Sequence, residues 1–168
     1  GTPYLCRVLS ENGYNELAYT LLLNDDYPGW LYAVEMGATT IWERWNSLLP
    51  DGKISDTGMN SLNHYAYGSI VEWMYRNMAG INPTAENPGF KHVKLAPQPD
   101  YRFKYVKASL NSAAGLYESQ WSLSDKGDLH FEFEIPFNTT ADLILPDADI
   151  NSVKVNGKSL KETELKAR

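Results

Sequence analysis

The chain is 168 residues long, enough for one sizeable core or two small domains, and it carries a formal charge of -6 with a pI near 5.0. No basic run offsets that charge, which argues against nucleic acid or an anionic membrane surface as a partner. A single cysteine, Cys6, excludes an internal disulfide and a thiolate metal cluster, and no apolar stretch is long enough to span a bilayer.

Charge and aromatics divide the chain. Residues 1 to 80 have a net charge of -5 and residues 81 to 168 a net of -1, while four of the five tryptophans fall between Trp30 and Trp73. Two unlike modules are expected. Helix-like sequence begins almost at once, without an initiator methionine, so the chain is expected to be a piece of something longer.

Tyr4, Leu5, Val8 and Leu9 recur at helical spacing, and Asn12-Gly13 supplies a left-handed stop. A second helix is predicted from Asn15 as its cap, with Leu17, Tyr19, Leu21, Leu22 and Leu23 making it apolar nearly all round and hence buried. Asp25 to Gly29 break it, and Pro28 opens a third helix that runs through Glu35 and ends at Gly37. The longest helix is predicted from Asn60 or Ser61 to Ala79, with Gly80 at its end and Pro83 preventing continuation. Leu62, Ala66, Ser69, Ile70, Trp73 and Met74 form its main stripe, and Tyr65, Tyr67, Val71 and Tyr75 widen it. Such a helix needs more neighbours than these, so a larger helical body is expected around it. Alone, the open edge predicts dimerisation through residues 1 to 80.

Beyond Asn82 a proline-rich connector gives way to two-residue alternation. Leu129, Phe131, Phe133 and Ile135 mark the buried face of one strand, Tyr117, Ser119, Trp121 and Leu123 a second, and Val106, Ala108 and Leu110 a third. Turns are predicted at Asn111 to Gly115 and Asp125 to Gly127, and Asn156-Gly157 sets a type I′ hairpin within 153–160. These elements predict a small antiparallel β-sandwich.

Gly37-Ala38-Thr39-Thr40-Ile41-Trp42-Glu43-Arg44-Trp45 puts one carboxylate between two tryptophans. Indole walls strip hydration from a carboxylate, and their flat faces are also what a sugar ring stacks on. Carbohydrate chemistry is one reading. The other is an ordinary ion pair with Arg44 among core tryptophans. No phosphate loop, dinucleotide fingerprint, paired-histidine motif or Gly-x-Ser-x-Gly elbow is present, so no metal or cofactor is expected.

Four segments in order resemble the C-terminal part of bacterial α-L-rhamnosidases of glycoside hydrolase family 78. They are Ser10-Glu11-Asn12-Gly13-Tyr14, Tyr27-Pro28-Gly29-Trp30, the Gly37-to-Trp45 run, and Ser61-Leu62-Asn63-His64-Tyr65-Ala66-Tyr67-Gly68-Ser69. The resemblance implies the last helices of an (α/α)6 catalytic barrel in residues 1–82, followed by a C-terminal β-sandwich in residues 83–168. It also implies inverting hydrolysis of terminal α-L-rhamnosyl linkages in a rhamnosylated glycan or glycoside. In such enzymes two carboxyl groups stand roughly 6.5 to 9.5 Å apart, one protonating the departing oxygen and the other activating water.

By the same resemblance Glu43 is the base and His64 contacts the bound sugar, while Trp30, Trp42 and Trp45 are candidates to pack against its ring or methyl group. Nothing here matches the family's general acid, so the chain alone is expected to be inactive. A competing reading treats residues 90 to 160 as a carbohydrate-binding module, with Tyr101, Tyr105, Tyr117 and Trp121 as an aromatic platform.

Overall fold

The computed structural model describes residues 1–56, 58–145 and 148–159; Leu160, the end of the predicted hairpin region, lies outside them. Helices come first. A 3-10 turn at Thr2–Tyr4 leads into α1 (Leu5–Glu11), which is closed at Asn12 and Gly13 before α2 (Asn15–Leu22). Asn15 does not cap α2 as predicted. It is the first helical residue after Tyr14, and its Oδ1 instead accepts the Ser10 hydroxyl at 2.8 Å, joining α1 to α2. Ala18, Tyr19 and Leu22 are buried against Cys6, Ile70, Trp73 and Met78, but Leu17 remains exposed, so α2 is not enclosed all round. The third helix, α3 (Trp30–Glu35), starts after Pro28 and ends at Met36 and Gly37.

The predicted long helix is shorter than expected. A 3-10 turn (Ala66–Ser69), α4 (Ile70–Trp73) and a π turn (Met74–Met78) run on from one another, but residues 60–65 are not helical. Their backbone is taken by tertiary partners: the Ser61 carbonyl accepts from the Glu43 amide, and the His64 amide donates to the Ile41 carbonyl. Those bonds replace the intrahelical ones that apolar spacing alone favoured.

Among the described residues the second half forms two three-stranded sheets and a hairpin. Strands β3 (Tyr105–Ser112), β4 (Gly115–Leu123) and β5 (Leu129–Glu134) pair antiparallel, with Tyr117, Ser119 and Trp121 fully buried on the face that the alternation assigns inward. The other sheet departs from the antiparallel expectation. β1 (Ile81–Pro83) pairs antiparallel with β2 (His92–Leu95), but β6 (Thr140–Leu143) lies parallel to β2. Ile81, Val93 and Leu95 of this sheet pack on Tyr117 of the first, forming one core between them. The last hairpin, β7 (Lys154–Val155) and β8 (Lys158–Ser159), turns through Asn156 and Gly157, both at positive φ as a type I′ turn requires.

Strand β4 also closes the end of the helical half. Trp121 Nε1 donates to the Met78 carbonyl at 2.7 Å and Ser119 Oγ to the Ala79 carbonyl at 2.6 Å, satisfying groups that a helix terminus leaves without partners. The burial of Tyr117 and Trp121 removes them from any surface platform; of the four aromatics in the binding-module reading, Tyr101 and Tyr105 are exposed.

Candidate functional site

Glu43 lies on an irregular stretch that runs beside residues 61–64. Its amide donates to the Ser61 carbonyl at 2.9 Å, and the Ser61 amide returns a 2.8 Å hydrogen bond to Glu43 Oε2. Charge-assisted bonds of this kind fix a carboxylate more firmly than neutral ones. Among the described residues, the other carboxylate oxygen accepts no hydrogen bond.

His64 follows three residues on. Its amide is held by the Ile41 carbonyl at 2.7 Å, its ring stacks on the exposed Tyr65 ring at 5.1 Å, and its Nδ1 accepts the Ala66 amide. With Nδ1 accepting, the neutral ring carries its proton on Nε2, which makes that nitrogen a donor toward a ligand hydroxyl.

The three candidate tryptophans, Trp30 at the start of α3 and Trp42 and Trp45 on either side of Glu43, line one hollow. Trp30 and Trp45 meet edge to face at 5.0 Å, and Trp45 meets Tyr67 at 5.7 Å. Trp30 Nε1 donates to the Tyr67 carbonyl at 3.1 Å, and Trp42 is buried. With Tyr67, Val34 and Ile41 they line an open hollow of about 250 Å³, to which neither Glu43 nor His64 contributes. Arg44 Nη2 donates to the Met59 carbonyl at 2.7 Å.

Three participants carried no sequence signal. Ser61 acts through its backbone amide, which any non-proline residue would supply. Ser47, fully buried, and Asn60 join the two loops that flank Glu43 and Ser61, through contacts between residues 13 apart. Among the described residues no three His, Cys, Asp or Glu side chains converge as metal ligands would, and no helix is long and apolar enough to cross a membrane.

A paired loop site presenting a carboxylate and an imidazole beside an aromatic hollow, on helices that lead into a β-sheet module, fits a glycoside hydrolase. Comparison with known proteins identifies the family. The bacterial alpha-L-rhamnosidase 6 hairpin glycosidase domain model matches residues 1–78, and the bacterial alpha-L-rhamnosidase C-terminal domain model matches residues 80–160. An alpha-L-rhamnosidase of Formosa agariphila is 44% identical over 167 residues, covering 96% of this chain and 18% of the relative. The Streptomyces avermitilis alpha-L-rhamnosidase crystallised with L-rhamnose superposes with a TM-score of 0.79 at 40% identity, over 85% of this chain and 14% of that one. The native enzyme from Aspergillus terreus gives 0.82 at 35% identity, over 87% and 17%. The chain belongs to the bacterial α-L-rhamnosidase family of glycoside hydrolases and spans less than a fifth of the length of these relatives.

Proposed function

We propose that this chain is the part of an inverting α-L-rhamnosidase that carries the general base, Glu43, with residues 1–82 forming the last helices of an (α/α)6 barrel and residues 83–168 a C-terminal β-sandwich. The observation that carries the reading is the Glu43 carboxylate, anchored through one oxygen by the Ser61 amide. A carboxylate held this way keeps its second oxygen for a water, which it deprotonates as that water attacks the anomeric carbon.

In this reading His64 donates from Nε2 to a rhamnose hydroxyl, and Trp30, Trp42 and Trp45, which line the neighbouring hollow, give an apolar wall to the sugar. The acid that protonates the departing oxygen belongs to a longer protein. An aryl α-L-rhamnoside therefore tests the proposal directly: the 168 residues alone release no phenol, and turnover near that of an intact enzyme overturns it. We also propose that the isolated chain dimerises through its helical half, where Tyr4 and Val8, one turn apart, and Val71 are 67%, 50% and 46% exposed. A monomer by light scattering at high concentration contradicts that contact.

A further inference from the structure

Between the loops that carry Glu43 and Ser61 lies a partly buried polar knot that the rhamnosidase reading does not use. Ser47 Oγ donates to Asn60 Oδ1 at 2.7 Å, and Asn60 Nδ2 donates back to the Ser47 carbonyl at 3.0 Å. The same hydroxyl accepts the Arg44 amide at 3.1 Å, and the same carbonyl also accepts the Ser55 amide at 3.0 Å. Ser47 has no exposed surface, and Asn60 is partly buried. One end of the knot thus grips the residue after Glu43, and the other is the residue before Ser61. The two backbone stations whose separation sets the Glu43–Ser61 hydrogen bond are clamped by one serine and one asparagine.

We infer that Asn60 is a positioning residue for Glu43: with Ser47 it holds the Ser61 amide on Oε2 and so decides where the other carboxylate oxygen points. The inference rests on the assignment of Glu43 as the base. Its physical basis is that the knot is anchored on the fully buried Ser47 hydroxyl and carbonyl, so losing the Asn60 partner leaves those groups unsatisfied and releases the loop. A base works only with its oxygen within about 2.6 to 3.2 Å of the atom whose proton it takes, and a misplacement of about 1 Å lowers a rate by about 100-fold.

The test is kinetic, in the full-length rhamnosidase carrying this chain. Asn60→Ala is expected to lower kcat about 10- to 100-fold with KM changed less than about threefold. Ser47→Ala, which keeps the Asn60 bond to the Ser47 carbonyl, is expected to give a smaller loss in the same direction and serves where Asn60→Ala folds poorly. Both are compared on thermally verified folded protein. A residue acting only through Glu43 has no further effect once Glu43 is disabled, so in a Glu43→Gln background Asn60→Ala is expected to leave the residual rate unchanged. Wild-type kcat in both single variants, or a loss that multiplies with that of Glu43→Gln, overturns the inference while leaving the base assignment intact. Normal turnover by Glu43→Gln overturns the base assignment and the inference together.

Discussion

Glu43 and Ser61 are bonded in both directions, amide to carbonyl at 2.9 Å and amide to carboxylate at 2.8 Å, although 18 residues separate them. The pairing makes Glu43→Gln an informative variant. The carboxamide oxygen still accepts the Ser61 amide, so the loop keeps its shape while the proposed proton acceptor is lost. Hydrolysis by the intact enzyme is expected to fall about 10²- to 10⁴-fold, with rhamnose binding by calorimetry nearly unchanged. A variant that turns over normally removes Glu43 from the base role.

Gly80 carries the junction between helices and strands. It adopts φ +79, and an added Cβ would stand 2.1 Å from the Pro97 nitrogen, with the Ala96 carbonyl carbon at 2.5 Å. Neither neighbour yields easily, because the Ala96 amide is itself bonded to the Gly80 carbonyl and Pro97 is fully buried. Gly80→Ala therefore combines left-handed strain with overpacking and is expected to destabilise by about 2 to 4 kcal/mol. Urea unfolding measures it, and a midpoint equal to wild type refutes it.

Much of this architecture is legible in residue order wherever the deciding interactions are local. Gly13 and Gly37 end their helices, Asn156-Gly157 turns the hairpin, and the alternation through Tyr117, Ser119 and Trp121 identifies the buried face of β4. Residues 60–65 misread because helical spacing there competes with bonds to Ile41 and Glu43 that no local window contains. The parallel pairing of β2 with β6 escapes for the same reason: His92 and Thr140 are paired across 48 residues. At the site, the Trp-Glu-Arg-Trp run exposes Glu43 as a candidate, whereas the Ser61 amide and the Ser47–Asn60 knot are invisible until the loops meet.

Asp100 and Arg102 fasten the connector to α2. Arg102 donates to both Asp100 oxygens, at 2.8 and 2.7 Å, and reaches Thr20 Oγ1 at 2.8 Å and the Glu16 carbonyl at 3.0 Å. The hydrogen bonds from Arg102 hold the Asp100 carboxyl below its ordinary range. A carboxylate depressed in the folded state stabilises the fold above its unfolded pKa, near 4, and that contribution fades as pH falls through the lower folded value. Asp100→Asn is thus expected to lower stability by about 1 to 2 kcal/mol at pH 7, modest because the Arg102 side chain is 38% exposed. The deficit should shrink below pH 4. A difference that stays constant from pH 7 to pH 3 dismisses this account.

Cys6 reports on the same core. It is 3% exposed against α2, its thiol facing the Ala18 carbonyl at 3.7 Å, and burial pushes it up to about 11 from an ordinary value of 9.0. Since the thiolate is the reactive species, both access and ionisation suppress its chemistry at pH 8. A thiol reagent such as Ellman's is expected to label the native chain only as fast as the helical half opens, and at once in concentrated urea. The linkage has a definite sign: a raised folded value leaves stability intact below the unfolded pKa and removes it as pH climbs from about 9 toward 11, because the unfolded chain ionises first. Melting temperature followed across that window, with Cys6→Ala as the reference, separates this loss from general alkaline unfolding. Prompt stoichiometric labelling of the native chain at pH 8 means that α1 is not seated on α2 in solution.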